Sequence, residues 1–299
     1  MENKYTKINN IIEIIPYIDN LIGKIIVIKY GGNALINETK KIQFIKDIVF
    51  LKKLGAYPVI IHGGGPDINA MLGKINKESK FLKGNRITDD ETMEIVEMIL
   101  SGKVNKNLVS LINKYGGSSV GISGKDSNLI LAEKKYIIND NEKIDIGNVG
   151  EIIKVNGKII HTLMKEDYIP VISSVGTDHN GNTYNINADY AASSIASELK
   201  AHKFIFITNA PGIMMEMNNI DTKIETLNYD EAINLIKDKI ITEGMIPKVE
   251  ACLSSLKNGV DNVHIIDGNL EHSLLVELLT NLNTGTKLTK NEKGEFNGN

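Results

Sequence analysis

Tryptophan is absent from the 299-residue sequence, and aromatic residues make up only 5% of it. Base-stacking platforms for nucleic acid are therefore not expected, and a net charge of −3 offers no basic surface in their place. One cysteine, Cys252, excludes an intramolecular disulfide and fits a reducing cytosol. It stands among Val249, Leu253 and Leu256 at helical spacing, where a buried small side chain is expected rather than a nucleophile. The six histidines are scattered, without a spacing such as His-Glu-x-x-His, so no protein-built metal site is expected. No apolar run approaches the roughly 18 residues of a membrane span. Glu13 and Asp19 interrupt the apolar residues of the N-terminus, which does not read as a signal peptide. Hydrophobic residues at 42% and charged residues at 24% are ordinary for a globular chain, long enough here for one or two lobes.

What is present is a repeated local pattern. Val59-Ile60-Ile61-His62 ends in Gly63-Gly64-Gly65-Pro66, and Ile25–Lys29 runs into Gly31-Gly32. Val120–Ser123 runs into Gly124, Val171–Ser174 into Val175-Gly176, Phe204–Thr208 into Asn209-Ala210-Pro211-Gly212, and Val263–Ile266 into Asp267-Gly268. Short β-branched runs read as buried parallel strands. Ligands of an open parallel sheet bind beyond its carboxyl ends, so the glycine bends should face one rim. The triglycine bend is the strongest of them: a strand, backbone angles that only glycine tolerates, and a helix start at Pro66-Asp67 make a site for an anion.

The remaining elements follow from periodicity and caps. Ile8, Ile11, Ile12, Ile15, Ile18 and Ile22 form an apolar helical stripe, kinked at Pro16, that docks on its own subunit or on another. Helices are predicted over Ile42–Leu54, Ile68–Leu72, Lys158–Lys165, Asn187–Leu199, Thr226–Lys237, from Pro247, and over Ser273–Leu282. Thr88-Asp89-Asp90-Glu91 reads as a capping box opening a helix toward Leu111, with a weak point at Ser101-Gly102. Leu129–Val155 reads as a hairpin region, and Asn180-Gly181 as a hairpin turn. Residues 290–299 are polar and expected to fray.

Two glycine motifs fail. Ile68 stands where a dinucleotide fingerprint needs its third glycine, and Gly124-Lys125 lacks the flanking residues of a P-loop. Lys29 is a solvated strand end or a phosphate ligand. Arg86 is a surface residue or a bidentate clamp on a carboxylate. Asn187 and Asp189 suit a helix N-terminus, whereas Lys248 near another N-terminus needs a compensating anion. Two rim lysines, glycine cradles, one aspartate and one arginine suit phosphoryl transfer, which relies on positioning and charge rather than covalent help.

With these motifs the chain resembles the acetylglutamate kinases of the amino acid kinase family over essentially its whole length. The matching stretches are Ile28–Ala34, His62–Pro66, Arg86–Asp89, Gly124–Asp126, Tyr184–Asp189 and Gly244–Val249. The resemblance implies an α/β fold with an open, mainly parallel central sheet sandwiched between helices. It implies transfer of the ATP γ-phosphoryl group to the side-chain carboxylate of N-acetyl-L-glutamate, with Mg²⁺ held mainly by ATP phosphates and water. By match, Lys29 and Lys248 stabilise the moving group and Asp189 orients both. Gly64, Gly65, Arg86 and Asn185 bind the amino acid, while Gly31, Gly32, Thr208, Asn209 and Gly212 serve the nucleotide. Asn209 departs from the usual family aspartate, which bears on ATP affinity. The implied organisation is an oligomerisation helix over 1–22, a substrate-binding lobe over 23–190 and a nucleotide-binding lobe over 191–299. Relatives with such a helix are arginine-inhibited hexamers, trimers of dimers. L-arginine is then expected near Lys203, His264, Glu277 and Gly285, in a cytoplasmic enzyme.

Overall fold

The computed structural model describes residues 2–31, 37–139, 142–216, 219–241 and 244–291. In chain order its elements are α1 (Glu2–Asp19), β1 (Ile25–Tyr30), α2 (Glu38–Lys53), β2 (Tyr57–His62), α3 (Gly65–Lys74), β3 (Phe81–Leu82), β4 (Asn85–Arg86) and α4 (Asp90–Glu97). A π-helical turn (Met98–Val104) leads into α5 (Asn105–Lys114), followed by β5 (Ser119–Ser123), β6 (Ile130–Asn139), β7 (Glu142–Val155), α6 (Lys158–Lys165), β8 (Ile169–Ser173), β9 (Val175–Thr177) and β10 (Thr183–Asn185). The chain ends with α7 (Ala188–Glu198), β11 (Lys203–Thr208), β12 (Ile213–Met214), β13 (Lys223–Ile224), β14 (Thr226–Asn228), α8 (Tyr229–Lys237), α9 (Ile246–Lys257), β15 (Asn262–Asp267), α10 (Ser273–Leu279) and β16 (Gly285–Thr289).

The six glycine-terminated runs all join one eight-stranded sheet of order β14-β16-β15-β11-β1-β2-β8-β5. They pair in parallel, with Lys29 level with Ile61 and Phe206, His62 with Ser173, and Thr208 with Asp267. Their carboxyl ends therefore share one rim, as the strand pattern predicts. Alternate residues fill opposite faces. Val27, Val59, Ile61, Phe204, Phe206 and Ile265 pack under α7 and α9, with Cys252 buried among them. Ile26, Ile28, Ile60, Ile205 and Ile207 pack under α2, α5 and α10. The sheet runs unbroken through both expected lobes, and the boundary at 190/191 falls inside α7. The expected hairpin region is β6–β7, which closes with β9 and β10 into a small barrel; Gly181 turns β9 into β10 at φ +84°.

Several expectations are corrected. The helix expected from a Thr88 cap starts one residue on, because Asp89 is the cap and accepts the Thr92 N–H at 2.9 Å. Thr88 instead donates its hydroxyl to the Arg86 carbonyl at 2.8 Å. Thr226–Asn228 forms an edge strand beside β16, and Asn228 with Glu231 forms the capping box of α8. The last helix ends at Leu279 rather than Leu282, since the chain turns back to add β16 antiparallel to β15. Gly285–Thr289 is short and largely polar, so its strand character comes from the neighbour it pairs with. Residues 292–299 of the expected fraying tail lie outside the described residues.

α1 continues through Pro16. Ile18 and Leu21 pack onto the core, but Ile8, Ile11, Ile12, Ile15 and Ile22 stay 46% to 56% exposed. Most of the stripe therefore does not dock on its own subunit.

Candidate active site

Three charged side chains from distant parts of the chain meet at the rim. Lys29, near the end of β1, places Nζ 2.9 Å from Asp189 Oδ1. Lys248, in the first turn of α9, places Nζ 3.3 Å from Asp189 Oδ2. Asp189 is held in the first turn of α7, where Asn187 caps the helix by accepting the Asp189 N–H at 2.8 Å. The macrodipole favours a carboxylate there and opposes the ammonium on α9, so Asp189 supplies the anion that Lys248 lacks locally. Burial alone would raise the Asp189 carboxyl. The charges of Lys29 and Lys248 outweigh that effect and hold it below its ordinary value. Two ammonium groups against one carboxylate leave one excess positive charge, suited to an anionic ligand. Gly31 leaves room for the Lys29 ammonium in this position: a Cβ there would fall 2.6 Å from Lys29 Nζ.

Asp189 lines a cleft of about 220 Å³ together with Gly63, Gly64, Gly65, Arg86 and Asn185. The glycines are needed for a reason other than the one expected. None of the three has positive φ, and Gly64 has φ −179° with ψ 32°. Space is the constraint at two of them: a Cβ on Gly64 would lie 2.7 Å from Leu100 Cδ2, and one on Gly63 would lie 3.3 Å from Ala188 Cβ, whereas one on Gly65 would meet nothing within 4 Å. Arg86 is buried, stacked on the Phe81 ring at 4.7 Å, and donates to Ser79 Oγ at 2.6 Å and weakly to the Gly65 carbonyl at 3.5 Å. Among the described residues no carboxylate pairs with it, and burial lowers its pKa. Asn185 donates to Thr88 Oγ1 at 3.2 Å, so Thr88 ties Asn185 to the Arg86 backbone.

A larger hollow of about 370 Å³ lies between α2, α3 and α5. Its charges are already matched in the pairs Lys41–Glu38 and Lys103–Asp67, and no predicted site residue lines it. Gly64, Gly65, Arg86, Asn185 and Asp189 all line the smaller cleft instead.

Of the residues expected to serve a nucleotide, Gly32 lies outside the described residues. Thr208 ends β11, and its hydroxyl accepts the Ala210 N–H at 3.0 Å. Asn209 is exposed, and its carbonyl accepts from Asn269 at 3.0 Å. Gly212 sits at φ +128° with no room for a Cβ beside Thr286 Oγ1, so this turn does require glycine.

Residues 24–267 match the model of the amino acid kinase family. The chain belongs to the amino acid kinase family. The acetylglutamate kinase of Caldicellulosiruptor bescii is 46% identical over 288 residues, covering 96% of this chain and 98% of that protein. Among solved structures, an N-acetylglutamate synthase from Neisseria gonorrhoeae, complexed with coenzyme A and N-acetyl-glutamate, superposes with a TM-score of 0.83 at 24% identity over 95% of this chain. This chain spans only 63% of that synthase chain. A Giardia carbamate kinase superposes with a TM-score of 0.68 at 18% identity, covering 90% of this chain and 99% of that one. At such identities these two structures speak to the fold alone.

This amino acid kinase carries a second charged cluster nearer the amino ends of the strands. His264 Nδ1 is 2.7 Å from Glu277 Oε1, and Thr284 donates both its N–H (2.7 Å) and its hydroxyl (2.8 Å) to Glu277 Oε2. Burial lowers the His264 pKa despite its bond to Glu277. Lys203 opens β11 and is also lowered by burial, reinforced by Lys287 and opposed by Glu277. Gly285 is required because a Cβ would strike the Ile265 carbonyl.

The sequence reading missed Thr88, His62 and Asn105 as supports of the site. Asn105 left one trace. It shares a helical face with Leu108 and Ile112, and a polar residue on a buried face calls for partners.

Proposed function

We propose that this amino acid kinase transfers the γ-phosphoryl group of ATP to the side-chain carboxylate of N-acetyl-L-glutamate, giving N-acetyl-L-glutamyl 5-phosphate in arginine biosynthesis. The observation that carries the proposal is Asp189, bridged to Lys29 and Lys248, lining the same cleft as Arg86, which has no carboxylate partner among the described residues. One cation set serves the moving phosphoryl group, and the other serves the substrate's second carboxylate.

A side-chain carboxylate has a reference pKa of about 4.3 and is ionised at neutral pH, so no general base is required. A carboxylate oxygen forms the new bond to phosphorus as the bond to the bridging oxygen breaks, and ADP leaves with that electron pair. Lys29 and Lys248 meet the equatorial charge from two sides, and Asp189 fixes their directions. Arg86 takes the α-carboxylate, for which its planar fork is suited. Gly64, Gly65 and Asn185 orient the rest of the amino acid, and Gly31, Gly32, Thr208, Asn209 and Gly212 serve the nucleotide. Among the described residues no group of three or more acidic, His or Cys side chains could hold a metal ion, and Asp189 is committed to two ammonium groups. No protein-built metal site is therefore assigned, and Mg²⁺ would ride on nucleotide phosphates and water.

The same reading extends to control. L-arginine would inhibit at the Lys203, His264, Glu277 and Gly285 cluster, and the exposed stripe of α1 would join dimers into a cytoplasmic hexamer. The N-terminal helix over 1–22, a substrate lobe over 23–190 and a nucleotide lobe over 191–299 would divide these tasks. Deleting residues 1–22 should then abolish arginine inhibition and shrink the assembly on gel filtration.

Trapping the acyl phosphate with hydroxylamine tests the reaction. Hydroxamate should form with N-acetyl-L-glutamate and ATP, and far less with unacetylated glutamate. Equal yields, or none, would overturn the assignment. Arg86→Lys should raise KM for N-acetylglutamate about tenfold while leaving KM for ATP unchanged.

A further inference from the structure

Glycine runs are conformationally permissive, so a backbone N–H in such a run works as a fixed donor only if something else holds its peptide. In this protein the holder is visible. His62 ends β2 fully buried, with both ring nitrogens engaged: Nδ1 lies 2.9 Å from the Gly63 carbonyl and Nε2 lies 3.0 Å from Asn105 Nδ2. A carbonyl only accepts and this amide nitrogen only donates, so the proton sits on Nδ1 and Nε2 accepts. Burial pushes the ring's pKa down to about 4, which agrees with a neutral imidazole. Asn105 is equally buried. Its Nδ2 also donates to the Val171 carbonyl at 2.9 Å, with a weaker contact to Ile122 at 3.3 Å, and its Oδ1 accepts from Lys106 at 3.2 Å.

The π-helical turn Met98–Val104 delivers this asparagine. Such turns shift the helix face by an extra residue and recur at functional sites. The same turn sets Leu100 in the space that a Gly64 side chain would need and brings Ser101 Oγ to 3.0 Å from Ser173 Oγ.

We infer that His62 and Asn105 form a buried positioning unit that aims the Gly64 N–H into the substrate cleft. The ring draws the Gly63 carbonyl toward the core. In a planar trans peptide the Gly64 N–H must then point the opposite way, to the side on which the three glycines line the cleft. No acceptor among the described residues takes that N–H, while the Gly64 carbonyl is tied into α3 by the Ile68 N–H at 3.0 Å. The peptides on both sides of Gly64 are thus fixed. The ligand of this N–H is the reacting carboxylate or its developing acyl phosphate, so the inference rests on the proposed reaction and adds two residues that never touch substrate.

The test is steady-state kinetics of Asn105→Ala and His62→Gln beside the full-length wild type. Rates are expressed per active site titrated with a tight-binding nucleotide analogue, and Tm is measured in parallel. A loose Gly64 peptide should cut kcat/KM for N-acetylglutamate about tenfold to a hundredfold while KM for ATP stays within twofold. Wild-type kcat/KM per folded site with only a lowered Tm would reduce the unit to a structural role and overturn the inference, as would equal losses for both substrates. If the variants do not fold, ¹⁵N spectra of the histidine rings in the wild type decide. A neutral His62 protonated on Nδ1 at pH 7 supports the unit, and an Nε2–H tautomer or an imidazolium overturns it. A wild type that makes no acyl phosphate defeats the reaction itself, whereas an active wild type with unaffected variants defeats only this inference.

Discussion

The two buried charged clusters on the central sheet are built on opposite principles. At the rim, Asp189 faces two ammonium groups, and positive charge is left over beside a cleft. Nearer the amino ends of the strands, Glu277 is met by an imidazole, a backbone N–H and a hydroxyl, in an enclosed setting. The first arrangement keeps unspent charge for a ligand. The second uses nearly all of its hydrogen bonding internally and leaves one loose end, the buried Nε2 of His264, which has no partner among the described residues. A buried carboxylate therefore does not always play one part. The charge of its partners separates an arrangement with cation to spare from one that is satisfied internally.

That contrast can be broken most forcefully at the rim. Lys29→Ala or Lys248→Ala should lower turnover about a hundredfold to a thousandfold in the hydroxamate assay, by removing a cation aimed at the transition state. Glu277→Ala should register first in stability, with a loss of about 3 kcal/mol in urea titrations, because His264 and both Thr284 donors lose their acceptor.

Acid separates the clusters next. His264 and His62 are both held below their ordinary value of 6.5, His62 at about 4, so the unfolded chain takes up protons before the folded one does. Their contribution is complete above about pH 6.5 and is lost as pH falls below it, in the case of His62 down to about 4. Asp189 has its carboxyl depressed, so its contribution is lost only below the ordinary value of 3.8. Urea midpoints should therefore already fall between pH 7 and 5, and a flat profile there would contradict the assignment of neutral buried rings. The smallest effect is at the cap presenting Asp189. Asn187→Ala should cost about 1 kcal/mol of stability in the same titration.

Much of this was readable before folding was considered. The six strands, the Asn187 cap and the Asn180-Gly181 turn depend on neighbours a few residues away. Lys29 and Lys248 stood out because their local settings were uncomfortable: charge at a buried strand end, or at the wrong end of a helix. The misreadings have one cause in common. Asp89 displaced Thr88 as cap because Thr88 is engaged with Arg86 and Asn185. Gly64 answers to Leu100, and Gly63 more mildly to Ala188, rather than to a positive φ, while Gly65 has open space where a Cβ would stand. Strands β14 and β16 exist because each edges onto an existing sheet.

The sequence by itself determined the parallel sheet, the rim and the residue types that could act there, since periodicity and caps are short-range properties of the chain. Only the tertiary structure decided that one aspartate takes both lysines, that His62 and Asn105 hold the glycine bend, and that Arg86 is left without a carboxylate. Each of those facts is a pairing across 40 or more residues of sequence or the want of one, and no local pattern encodes which distant group a side chain will meet.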